Sequence, residues 1–446
     1  MSERMVRKVL RVFVTVALAL PLWIIATGCG GGGGSPGASS ADSDGFSATS
    51  SAADSNSSSA TVANTSSTSS SDTTTTVTIS SSGNQVAPGV TATSVGSNSS
   101  VTFTRVNDHN VSPTFTFDSA TLASLDGRGG TFRSSTSPPV SFLLHLTGSS
   151  VGDDGVSFQS VTNPRGKNLD MALQPCVANY CGVLVPRMPA MIGIEGSWSF
   201  RLQSAKTSTP GDFKVSVTFR SGPTPGSGTK IIVAPYMLKA SKFSTGAIQA
   251  ALDHLVAIYA KSQITVTVRD MTLVDDSRYL VTNLDFTDPV TQALIARGGT
   301  DTVNLFFVDD FSEYGALGIA SAIPGSMGVA GGFNGILIGL SPHKKGSLLD
   351  TNFLGETSAH EMGHFLGLFH TTEADGVTFD PLDDTPSCSI GRDANRSGSV
   401  EVDDCSGSGA DNLMFWTPFT GSGSRVTQDT LTNDQQTILR YAPIGQ

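Results

Sequence analysis

The chain has 446 residues, with 27 Lys and Arg against 38 Asp and Glu for a formal charge of −11. Once the first 28 residues are set aside, an acidic chain with no basic cluster remains, which argues against nucleic acid as a partner. Its length exceeds what one compact domain needs, so the starting expectation is two folded units plus unfolded extras.

The chain opens on a basic stretch, Arg4, Arg7, Lys8 and Arg11, followed by an apolar run from Val12 to Ala26. That run is too short and too abruptly ended for a stable spanning helix, and residues 1–28 read as a signal peptide. Its end, Ala26-Thr27-Gly28-Cys29, resembles the box of bacterial lipoproteins, with Ala26 where Leu is usual. The resemblance implies that Cys29 is lipidated and anchors the mature chain to a membrane. Gly30 rather than Asp after the cysteine implies the outer membrane or cell surface of a Gram-negative bacterium. The alternative is an ordinary secretory signal with an incidental cysteine. Residues 29–87 are almost wholly Gly, Ser, Thr, Ala, Asn and Asp. Such a tract has too little apolar surface to offset its ordering entropy, and it is expected to be a disordered tether.

From residue 88 to 220 short runs alternate apolar and polar residues between Gly, Pro, Asn and Asp, as in Phe213-Lys214-Val215-Ser216-Val217-Thr218-Phe219. Period-two patterning at this density predicts an all-β, sandwich-like domain. It carries no catalytic constellation; His109 and His145 stand alone. The domain reads as a spacer or binding module, with a latency-keeping prosegment as the sharper alternative. Residues 221–228, Ser-Gly-Pro-Thr-Pro-Gly-Ser-Gly, are a linker by composition.

Beyond it, strands and helices alternate: strands at Lys230–Ala234, Ile264–Val268 and Val303–Val308, helices over Thr245–Ala260 and Pro289–Ala296, an apolar run at Gly335–Leu340, and a helix over Thr351–Gly367. This predicts an α/β unit over 229–446, large enough to bury its own core. Near the end, Thr432-Asn433-Asp434-Gln435 fits a capping box that opens a last short helix. Four cysteines lie between 176 and 405, an even number that suits export. Cys176–Cys181 and Cys388–Cys405 are the locally sensible disulfides; the alternative, a second metal site, lacks both Cys-x-x-Cys spacing and a neighbouring His. His254 and His343 are read as structural.

The chemistry concentrates in His360-Glu361-Met362-Gly363-His364-Phe365-Leu366-Gly367-Leu368-Phe369-His370. His360 and His364, four apart on a helix, place both imidazoles on one face, as two ligands of a tetrahedral zinc require. Glu361 between them can serve as general base toward a zinc-activated water and then as acid toward the leaving amine. Gly367 can end the helix in a left-handed conformation and turn His370 back as third ligand, leaving the fourth position open for catalysis.

This run matches the metzincin signature, and Asn412-Leu413-Met414-Phe415-Trp416 resembles the Met-turn, with Met414 as the floor of the site. Within metzincins the chain is most similar to the pappalysin group, through His370-Thr371, Asp384-Thr385-Pro386, Cys388, Cys405, Asp411-Asn412 and Leu431-Thr432-Asn433-Asp434-Gln435-Gln436. The resemblance covers only the catalytic unit. It implies a zinc metalloendopeptidase with a twisted sheet, a zinc helix and a Met-turn. Trp416 departs from the family, which carries Tyr there, and puts any oxyanion role of that tyrosine in doubt. Gly335–Leu340 would be the edge strand for an extended substrate, with a buried core strand as the alternative.

Between the second cysteine pair, Asp393, Asn395, Ser397, Ser399, Glu401 and Asp404 follow the spacing of a twelve-residue calcium loop, with Gly398 at position six. Asp404 replaces the usual Glu. Asp383 and Asp384 are further candidates, and a polar surface loop is the alternative. Taken together, the sequence predicts a tethered, monomeric zinc endopeptidase acting on proteins or peptides outside the cytoplasm. Its rival is a surface-tethered adhesin or binding protein with a catalytically silent metzincin fold.

Overall fold

The computed structural model describes residues 228–445 apart from 313–314, and ahead of them the strands and some connecting turns between residues 74 and 225. The signal segment 1–28, Cys29, tether residues 29–73, His109 and most of the 221–228 linker lie outside the described residues.

The N-terminal module is all antiparallel strands, arranged as one seven-stranded and one five-stranded sheet. It begins earlier than composition suggested. Thr74–Ile79 and Asn84–Ala87 are strands inside the stretch expected to be tether, and Thr74–Ile79 pairs antiparallel with Ser99–Asn107. The physical reason is that β-branched Thr, Val and Ile favour extended backbone even in a polar tract. A tally of polar residues misses that. The Cys176–Cys181 disulfide joins the last two strands of the larger sheet.

The C-terminal unit is built on a sheet in the order Thr265–Val268, Lys230–Leu238, Val303–Val308, Ile336–Gly339, Gly318–Ala320. All neighbours are parallel except the last pair. The central strands read as continuous apolar runs because a parallel sheet is covered on both faces; Val303–Val308 is buried throughout. Four helices attach to it: α1 (Thr245–Ala260), α2 (Pro289–Ile295), α3 (Thr351–Phe365) and α4 (Asn433–Arg440). The oxygens of Ser244, Asp288, Asp350 and Thr432 cap their N-termini. At α4 the full capping box forms between Thr432 and Gln435. The core lies between α1, α3 and the sheet and includes Leu252, Leu255, Leu305, Ile338, Met362 and Phe365.

Gly335–Leu340 is not the edge strand. Ile336–Gly339 sits inside the sheet between Val303–Val308 and Gly318–Ala320, and its residues are buried. The edge is the three-residue strand Gly318–Ala320. An all-apolar run is what two flanking strands and two covered faces demand, whereas an edge needs no such pattern.

A histidine cluster at the floor of a cleft

Helix α3 ends at Phe365, and Leu366 and Gly367 close it. Gly367 takes φ +109°, and its amide donates to the His364 carbonyl at 2.9 Å while the Leu368 amide donates to the Gly363 carbonyl at 2.9 Å. Those bonds satisfy carbonyls that a helix end leaves open, and they turn the chain so that His370 returns beneath the helix. The three imidazoles meet: His364 Nε2 and His370 Nε2 are 3.0 Å apart, and His370 Nε2 and His360 Nε2 are 3.3 Å apart.

Each ring is committed at its other nitrogen. Nδ1 of His360 donates to the Leu413 carbonyl (2.6 Å), Nδ1 of His364 to the Leu368 carbonyl (2.8 Å), and Nδ1 of His370 to the Glu373 carboxylate (3.0 Å). With the proton fixed at Nδ1, three Nε2 lone pairs point into one small space. Lone pairs so gathered repel unless a cation lies among them. Tetrahedral arms of about 2.0–2.1 Å would space the nitrogens about 3.3 Å apart, so the residues present fit zinc. Burial holds His360 down to about 3 with help from the His370 charge, and His364 well below its ordinary value for the same reasons. Both are therefore neutral, as ligands must be. Burial also pushes on His370, but the Glu373 carboxylate and then Glu361 outweigh it, and its net shift is upward.

Glu361 is buried beside the cluster, and one carboxylate oxygen accepts the Ala320 amide proton at 2.8 Å. Burial lifts its pKa to about 7 against the opposing pull of that hydrogen bond and of His370. Met414 lies against α3, where a side chain on Gly363 would meet its sulfur, and its carbonyl accepts the Thr371 amide. The side-chain Oδ1 of Asn412 accepts the Met414 amide proton at 2.8 Å, and Asn412 also exchanges hydrogen bonds with Gln435 of α4. Trp416 turns away from the histidines: its indole N–H donates to the Val400 carbonyl at 2.6 Å. It lines the cleft, and its indole N–H is already committed.

The cleft over this cluster is lined by Leu317 and by Gly318 of the edge strand, together with Phe353, Phe415, Trp416 and Pro418. Sequence reading missed three contributors. Glu373 holds His370. Glu356, at the cleft wall, is ion-paired to Arg425 at 2.6 Å. Buried His343 takes the hydroxyl proton of Thr357 at 2.8 Å and donates to the Gly339 carbonyl at 2.7 Å. His343 was read as structural, and what the sequence did not show is its link to the cleft residue Thr357. Only Glu373, three residues after His370, left any local signal.

The predicted calcium loop is brought together in part. Of its six residues only Glu401 and Asp404 gather carboxylate oxygens within 4.8 Å of one another, together with Asp403, which the sequence reading did not include. Asp393, however, accepts the Ser397 and Gly398 amides (3.1 and 2.8 Å), Asn395 also accepts the Ser397 amide, and the Ser397 hydroxyl donates to the Ser399 carbonyl. Asp404 accepts the Ala394 and Glu401 amides. Asp384 instead accepts the Asp434 amide, and Asp383 raises the Asp434 pKa. The Cys388–Cys405 disulfide closes this segment.

No family model matches the chain. Over 119 residues it is 34% identical to extracellular metalloprotease 1 of Coccidioides posadasii, an overlap of 24% of this chain and 41% of that protein. The chain thus spans less than half the length of that relative. Among solved structures it is similar to archaemetzincin from Methanopyrus kandleri, at 16% identity and a TM-score of 0.23, covering 32% of this chain and 77% of that one. It is also similar to metalloproteinase-II from Bacteroides fragilis, at 11% identity and a TM-score of 0.24, covering 67% and 82%. At these scores the structural likenesses carry no argument; the site must carry it.

Proposed function

We propose that the chain is a zinc-dependent metalloendopeptidase of the metzincin type, similar to the pappalysin group. The observation that carries this reading is the convergence of three Nδ1-tethered imidazoles beside a buried carboxylate in an open cleft. The partial likeness to an extracellular metalloprotease supports it. His360, His364 and His370 would hold zinc, and a bound zinc would polarise water and the scissile carbonyl. Glu361, with a pKa near neutrality, is suited to take the water's proton and return it to the leaving amine. The Ala320 amide fixes one of its oxygens, so the other is left for that transfer. An extended peptide would lie along Gly318–Ala320, whose outer edge has no neighbouring strand among the described residues.

The substrates proposed are proteins or peptides outside the cytoplasm, met by a monomer tethered through lipid at Cys29 to an outer membrane. No described helix is long and apolar enough to cross a membrane. Calcium at Asp393–Asp404 is part of the same proposal, because Glu401, pushed upward first by burial and then by the charges of Asp404 and Asp403, sits in a like-charge crowding that a cation would relieve. Calcium is expected to raise the melting temperature and chelation to lower it; a transition indifferent to both removes the loop from the site.

The deciding experiment is Glu361→Gln. Hydrolysis of a generic protein substrate is expected to fall about 10²–10⁴-fold while zinc content stays stoichiometric. Proteolysis that survives unchanged, or a native protein that binds no zinc, leaves the adhesin reading in possession.

A further inference from the structure

Units joined by a linker usually meet through a modest, polar surface. Here the N-terminal module instead contributes to the core of the peptidase unit. Leu143 and Leu184 are buried in the same apolar cluster as Met362, Phe365 and Leu366 of the α3 region. Tyr180 is buried in a second cluster and stacks on Phe333, with ring centroids 5.2 Å apart.

The polar groups at this junction are matched in direction as well as distance. The Thr218 hydroxyl donates to the Met327 carbonyl at 3.0 Å, so His145 Nε2, 3.0 Å from Thr218 Oγ1, must be the donor to it. His145 Nδ1 is then an acceptor, and the Tyr180 hydroxyl lies 3.4 Å away. The chain Tyr180 to His145 to Thr218 to Met327 runs from the module into the peptidase with every member neutral and used. At the other end of the junction Arg220 donates to the Arg440 carbonyl at 2.7 Å and to the Ala442 carbonyl at 3.5 Å. These belong to the C-terminal end of α4, where unpaired carbonyls favour a cation.

The contact also falls on the turn that delivers His370. A Cβ on Gly367 would stand 2.4 Å from Leu184 Cδ2, so the turn closes directly on the module's strand Tyr180–Val185. Two residues later the Arg187 guanidinium lies 4.1 Å from the ring centroid of Phe369, the residue before His370. No described residue ahead of Leu317 lines the cleft.

We infer that the β module is a permanent half of the peptidase, in which Leu184 and Arg187 are positioning residues for the Gly367–His370 turn. It is neither a spacer nor a removable inhibitory segment. Only the link to metal retention rests on His370 being a ligand, as proposed above; the docking itself does not.

The test is to insert a site-specific protease sequence between residues 223 and 226 of the full chain and cut it. The two fragments are expected to co-elute at micromolar concentration, melt in one transition and keep their zinc. Fragments that separate without denaturant, or a rise in proteolysis on cutting, overturn the inference. In the uncut chain, Arg187→Met is expected to weaken zinc retention against a chelator about 10-fold with the melting transition still single. Unchanged retention overturns the positioning role. Fragment association is read without substrate, so a protein that fails as a peptidase still gives a clear answer on docking.

Discussion

Each imidazole of the cluster depends on one acceptor, and the three acceptors are not alike. His360 and His364 give their Nδ1 protons to main-chain carbonyls, which no substitution removes. His370 gives its proton to the side chain of Glu373, which is a quarter exposed. Loss of such an outer partner typically weakens a metal site about 10–100-fold, because the ring then loses both its orientation and some basicity. Glu373→Ala is therefore expected to lower zinc affinity by that factor without unfolding the protein, as read by competition with a chelator. Affinity equal to wild type would show that the turn alone aims His370.

At the scale of elements, the segment between α3 and Met414 has almost no regular structure. One 3₁₀ turn, Ile390–Arg392, is its largest piece. It is held by a small cluster of Cys388, Val400, Val402, Cys405 and Phe415, with Trp416 packed on it. The disulfide spans 17 residues of sequence, and closing a loop of that size stabilises by about 3 kcal/mol through the unfolded state. Replacing both cysteines by alanine should cost about that much in denaturant unfolding. A loss below about 1 kcal/mol would mean that the apolar cluster alone orders the segment. Which elements were legible in the sequence follows from the range of the forces that make them. The spacing of His360 and His364, the cap at Thr432 and the apolar stripe of α1 are local, and each appears where the pattern puts it. The edge position of Gly318–Ala320 is a matter of sheet order, which period-two patterning does not encode. The strand Thr74–Ile79 was hidden because polar composition and β-branched propensity point in opposite directions there. The partnership of Glu356 with Arg425, 69 residues apart, leaves no local trace at all.

For the whole molecule, the junction between the N-terminal module and the C-terminal unit has its own titratable group. His145 is fully buried, and burial lowers its pKa to about 3, with the Met327 carbonyl opposing. The groups it faces, Thr218 and Tyr180, are neutral, so no charge compensates a proton on it. In the unfolded chain the same imidazole titrates near 6.5. Above that pH both states are neutral, and the folded arrangement is at full strength. As pH falls from about 6.5 toward 3, the unfolded chain takes up a proton that the folded one refuses, and stability is lost. At pH 4.5 that amounts to roughly 3 kcal/mol, a large part of the 5–15 kcal/mol typical of a native protein. Other groups titrate over this range, including His343, lowered to about 4, and Asp380, raised to about 7 chiefly by burial. A comparison with His145→Gln isolates the one at the junction. Wild type should exceed the variant in stability at pH 7, and by denaturant unfolding that gap should shrink by roughly 3 kcal/mol at pH 4.5. A gap that does not change with pH would mean that His145 is reached by water, and that the module is not seated on the C-terminal unit as the Tyr180–His145–Thr218–Met327 chain requires.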